Sequence, residues 1–211
     1  MIDSHIKSVV GPGTGADGDL RDIRLGTEGQ IIASLLRGKH AEQALRGNIF
    51  LHSMSSGALL TTVGTSAPWV LSNPANSKKN LIPIRLGVVF TAFPATPVAA
   101  CLLLAANSSP AADAPTGTAG VPVCAALGVV PTPVGSVLTA ATLAAAPVPF
   151  RTIATKGTGD DTTAFIIPEI VADFDGSLVL TPGTSISLFQ NTGDATNPEV
   201  IISCAWEEVD V

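Results

Sequence analysis

Phe174-Asp175-Gly176-Ser177-Leu178-Val179-Leu180-Thr181-Pro182-Gly183-Thr184-Ser185-Ile186-Ser187-Leu188-Phe189 is the stretch that sets the fold class, together with Glu199-Val200-Ile201-Ile202-Ser203-Cys204-Ala205-Trp206-Glu207-Glu208-Val209 beyond a polar loop. Leu178 and Leu180, then Ile186 and Leu188, alternate with small or polar neighbours, the period of half-buried strands. Thr181-Pro182-Gly183-Thr184 reads as a turn. Proline presets the backbone angle of the first corner, and glycine accepts the positive φ of the second. Val200, Ile202, Cys204 and Trp206 share one face of the last run. The expectation is an antiparallel strand-turn-strand-loop-strand unit whose last strand is central enough to bury a tryptophan.

Upstream, the rhythm stays that of short strands. Residues 1–28 read as an extended arm, because Gly11-Pro12-Gly13-Thr14-Gly15 supports no regular element. Gln30 to Leu36 reads as a strand and Lys39 to Arg46 as a short helical turn, with Gly38 between them. Strands follow at Asn48–Ser53, Leu59–Val63, Ala67–Leu71 and Leu81–Phe93, with a polar loop over Ser72–Asn80. Val98–Ala106 is expected to partner the long strand before it. Residues 107–149 are rich in Ala, Pro, Thr and Gly, and Asp113 is the one charge between Arg85 and Arg151. Short strands within that segment are pushed to sheet edges by proline, and an uncharged small-residue surface suits a subunit interface. Phe150–Thr155 and Phe165–Val171 complete the set. Residues 29–211 are therefore expected to form a single all-β domain, an antiparallel sandwich or jelly roll, rather than βαβ units.

Composition narrows the function. Charged residues make up 13% of the chain, about half of the roughly 25% usual in soluble domains. The net charge of −6 argues against direct nucleic-acid binding, which needs a basic face. Aromatics at 4%, with no tyrosine, make poor material for stacking platforms. Cys101, Cys124 and Cys204 form no C-x-x-C pair and read as reduced, structural thiols. The N-terminus lacks a signal-peptide pattern, and no apolar run is long enough to span a bilayer, so the expectation is synthesis in a cytoplasm with no membrane association.

The motifs that touch chemistry all fall short. Gly13-Thr14-Gly15-Ala16-Asp17-Gly18 matches G-x-G-x-x-G, but its aspartates would repel a pyrophosphate and no helix follows. Asp160-Asp161 and Asp173/Asp175 read as solvated turns rather than calcium loops. His40-Ala41-Glu42 lacks the second half of a zinc-deaminase signature. His5, His40 and His52 do not match a cupin-type metal set, and no Gly-x-Ser-x-Gly elbow is present. Glu207 and Glu208, adjacent on a strand, face opposite ways and form no catalytic pair; they are expected to keep a terminal strand soluble. No catalytic, cofactor-binding or metal-binding residue is assigned, and no enzyme activity is expected.

Gly38-Lys39, Arg46-Gly47-Asn48-Ile49-Phe50, the Ser72-Asn73-Pro74-Ala75 loop, Asp173-Phe174-Asp175-Gly176, the Pro182-Gly183 turn and the closing Trp206-Glu207-Glu208-Val209 together resemble a group of phage and environmental-virus virion structural proteins. The likeness runs over residues 25–211 and leaves residues 1–24 outside. It implies a jelly-roll-like domain of the decoration or capsid-associated type. Such a protein is made in the host cytoplasm, resides in the virion, and assembles as a homo-oligomer, a trimer, beside other capsid proteins. The alternatives are a glycan- or receptor-binding module with Trp69 exposed after Pro68, and a metal-dependent cupin-like enzyme.

Overall fold

The computed structural model describes residues 40–58, 62–91, 99–108, 115–128, 131–157, 169–192 and 199–211. Residues 43–211 form one compact unit, and every described strand lies within it. The N-terminal arm, the Gln30–Leu36 strand, residues 59–61, Asp160-Asp161 and most of Phe165–Val171 fall outside the described residues.

A single-turn helix α1 (Ala41–Leu45) opens the described chain. It stops at Gly47, whose φ of +78° is the left-handed conformation glycine adopts without a Cβ penalty. Gly47 N donates to Ala44 O and Asn48 N to Gln43 O, each at 3.0 Å, satisfying the last carbonyls of the turn. The strands follow in order: β1 (Ile49–Ala58), β2 (Ser66–Ser72), β3 (Lys79–Phe90), β4 (Ala99–Asn107), β5 (Thr116–Ala119), β6 (Val123–Cys124), β7 (Ser136–Thr142), β8 (Val148–Gly157), β9 (Ile170–Asp173), β10 (Ser185–Thr192) and β11 (Glu199–Asp210).

They form a five-stranded sheet ordered β6-β1-β11-β3-β9 and a six-stranded sheet ordered β5-β7-β2-β10-β4-β8. With β5–β7 set aside, the remaining strands pair from the ends inward: β1 with β11, β2 with β10, β3 with β9, and β4 with β8, all antiparallel. Successive pairs fall in alternate sheets. A long antiparallel ribbon folded over in this way is a jelly roll. Residues 115–142 are an insertion between β4 and β8 that widens both sheets, β6 pairing with β1 and β7 with β2.

The expected fold class holds, and several local expectations do not. The closing segment is not one antiparallel unit, because β10 and β11 lie in different sheets. Leu180 makes only an isolated bridge to Leu81. The Thr181–Thr184 turn does have its expected geometry, with Gly183 at φ +87° and Thr184 N donating to Thr181 O at 3.1 Å. Its role is to carry the chain from one sheet to the other. Similarly, β4 does not pair with β3: both sides of β3 are taken, by β11 and β9, and β4 crosses over to β10 and β8. Thr62 and Val63 are not in a strand.

The main core lies between the sheets. Phe50, Leu86, Val88, Ile202 and Trp206 from one sheet meet Trp69, Leu71, Leu102, Leu104 and Leu188 from the other. Trp206 is fully buried and stacks at a tilt on its cross-strand neighbour Phe50, ring centroids 5.9 Å apart. Such a pair adds about 0.5–1.5 kcal/mol beyond burial. Val70, Ala105 and Phe189 alternate with core residues and lie in a second buried cluster with Leu138, Ala141 and Leu143, so the central strands β2 and β10 of the six-stranded sheet are buried on both faces. Ser185 to Gln190 are accordingly all buried, a correction to the half-buried reading of β10. Pro83, which lacks an N–H for the ladder, sits where the β3–β11 register shifts by one residue, the bulge that lets proline stand in an internal strand.

Candidate functional site

The outer face of the five-stranded sheet carries a groove of about 580 Å³. Its floor follows from register. Ser53 pairs with Ser203, Ser203 with Gly87 and Gly87 with Val171, so a row of three small residues crosses β1, β11 and β3 and ends at Val171 on β9. The next row runs Val123, Leu51, Ala205, Arg85. Because strand residues alternate faces, the bulky partners of these positions, such as Ile202, Cys204 and Trp206, point into the core.

Two walls rise from that floor. On one side Val121 and Val123 project from the insertion, 82% and 53% exposed. On the other, the Glu169 carboxylate lies over Gly87 where a Cβ would collide with it, and pairs with Arg85 at 3.3 Å. Both partners are substantially exposed, so the pair contributes little to stability; it neutralises the wall. Ser53 Oγ and Ser203 Oγ lie 3.1 Å apart on the floor.

His52 stands behind the Val121 wall. Its ring fills the space that a side chain at position 120 would need, and its Nε2 lies 3.2 Å from Met54 Sδ. Burial lowers its pKa from the ordinary 6.5, against a smaller opposing effect from a hydrogen bond to the Val121 backbone. Neutral imidazole therefore dominates near pH 7. Cys204 also borders the groove, but burial pushes its thiol up to about 12, which leaves it a poor nucleophile. The groove therefore offers shape, two hydroxyls and a charge-neutral wall.

Several residues singled out from sequence lie elsewhere. Trp69 is wholly buried in β2, which overturns its reading as an exposed aromatic. Strand alternation continues into the core at that point, and Pro68 is buried beside it. Glu208 is 1% exposed rather than a solubilising surface charge, because it continues the inward face of Cys204 and Trp206. Glu207, on the other face, is partly exposed. His40 immediately precedes α1 and is not one of the residues that line the groove. Asp175 lies in a tight turn with Gly176, both at positive φ. Cys124 and Cys204 are buried free thiols. Among the described residues no group of three or more His, Cys, Asp or Glu side chains is placed to hold a metal, and no helix is long and apolar enough to cross a membrane.

The groove itself escaped the sequence reading. Its signal was the small outward residues Ser53, Gly87, Ser203 and Ala205, opposite large inward ones, on strands far apart in the chain. No protein-family model matches the chain, and no curated protein or solved structure matches it.

Proposed function

We propose that this chain is a non-enzymatic virion structural protein, a decoration or capsid-associated subunit that works by homo-oligomeric assembly as a trimer beside other capsid proteins. The observation that carries the reading is the insertion in the jelly roll. From residue 115 to residue 142 it holds no ionisable side chain other than the buried Cys124, yet Val121, Val123 and Leu127 are exposed at 82%, 53% and 82%. Apolar surface of that kind on an isolated subunit is costly and is stabilised when another copy covers it. The acidic net charge of −6 supports contact with protein rather than nucleic acid. The resemblance in strand and turn residues supports a virion location, with synthesis in the host cytoplasm.

The glycan- or receptor-binding alternative loses its aromatic platform with the burial of Trp69. Light scattering on the full chain over a wide concentration range tests the assembly reading. A stable trimer is expected; a monomer at every concentration would remove the reading.

A further inference from the structure

We infer that the outer face of the five-stranded sheet is where copies of this chain join, with the Val121–Val123 ridge of one copy seated in the groove beside that ridge on the next. The inference rests on the homo-oligomer reading above and names its surface.

Shape and chemistry both favour a second copy as the occupant. The ridge is apolar and projects, and the groove next to it has a floor of Ser53, Gly87, Ser203 and Ala205 that leaves room for branched side chains. Leu51, 42% exposed and in register with Val123, joins ridge to floor as continuous apolar surface. The ridge of one copy in the groove of the next is a heterologous contact, which generates a ring when the rotation between copies closes.

Charge supports the same partner. Identical chains carrying −6 each repel unless they meet where charge is balanced. Among the described residues that line the groove, the cation Arg85 and the carboxylate Glu169 neutralise each other at 3.3 Å, and His52 is held neutral. A strongly acidic or basic partner finds no unmatched charge in that lining.

Edge-to-edge joining is disfavoured instead. Edge strands β5, β6 and β9 have only 4, 2 and 4 residues. The longer edge strand β8 contains Pro149 and two register shifts, devices that block strand addition.

The test uses the full chain carrying Val121→Asp or, separately, Val123→Lys, with Val148→Asp on β8 as the comparison. Both ridge residues are exposed, so either charge is tolerated in the folded subunit, and emission from buried Trp69 and Trp206 reports that folding. Light scattering and sedimentation are expected to show each ridge variant associating about tenfold or more weakly than wild type, whichever sign of charge is introduced, while the β8 variant keeps the wild-type mass. Folded ridge variants with the wild-type mass would overturn this surface and leave the assembly reading standing. Dissociation by Val148→Asp alone would move the interface to the other sheet and overturn it equally. A monomeric wild type would overturn the assembly reading itself.

Discussion

The backbone N–H of Gly135 donates to Glu208 Oε1 at 2.9 Å, which fastens the insertion of the jelly roll to its last strand. Val134 N donates to the same carboxylate at 2.9 and 3.2 Å, Trp206 Nε1 at 3.3 Å, and Lys79 Nζ lies 3.6 Å away. A buried carboxylate is tolerated only when its oxygens are this well satisfied. Gly135 also has no room for a side chain, since a Cβ would lie 2.9 Å from both Leu81 Cδ1 and Trp206 Nε1. The acceptor and the glycine are thus matched to each other.

Glu208→Ala takes the acceptor away from the Val134 and Gly135 N–H groups and from the buried Trp206 Nε1–H, and is expected to destabilise the chain by about 2–4 kcal/mol. Glu208→Gln keeps an acceptor oxygen and gives up the charge, so it should cost less, about 1–2 kcal/mol. Urea unfolding followed by tryptophan emission measures both. Equal losses for the two variants would show that charge, not backbone satisfaction, carries the contact.

Both tryptophans, Trp69 and Trp206, are 0% exposed. Emission from the native chain is expected at short wavelength and should be almost unaffected by iodide, becoming quenchable only on unfolding. Quenching of the native protein comparable to that of free indole would contradict the burial of Trp69 and restore it as a ligand platform.

The residues that were legible from sequence are those whose neighbours are local. Alternation over Val200 to Trp206 located the inward face of β11, and Pro182-Gly183 located a turn with its conformation. Alternation says which way a side chain points, not which sheet a strand enters, so β10 and β11 read as neighbours when they lie in different sheets. It also failed for Ser187, which is buried on the face of the second cluster and whose hydroxyl donates to Ala105 O at 3.3 Å across the sheet. Asn73 shows the same limit. It read as loop surface, yet it is 1% exposed because its amide donates to Lys79 O and Leu180 O, each at 2.8 Å. Polar residues whose partners are distant in sequence look like surface until the fold brings the partners together.

Cys204 and Cys124 are 6% and 5% exposed. With the Cys204 thiol raised to about 12, only about one molecule in ten thousand carries its thiolate at pH ~8. In a Cys101→Ser background, both thiols should be silent toward an aromatic disulfide reagent in the native protein and react promptly in denaturant. Rapid native labelling would mean that the back of the groove opens to solvent.

His52 gives the fold a defined acid sensitivity. Burial lowers its folded pKa below 6.5, so on acidification the unfolded chain takes up this proton before the folded one does. The contribution of neutral His52 is complete above the unfolded value of 6.5 and is lost as pH falls through the lower folded value. Between about pH 8 and about pH 5, wild type should therefore lose more unfolding free energy than His52→Gln, which has no proton to gain there. Comparing the two proteins cancels the carboxylates common to both. Parallel stability profiles for the two proteins would show that the imidazole is solvated in the folded chain.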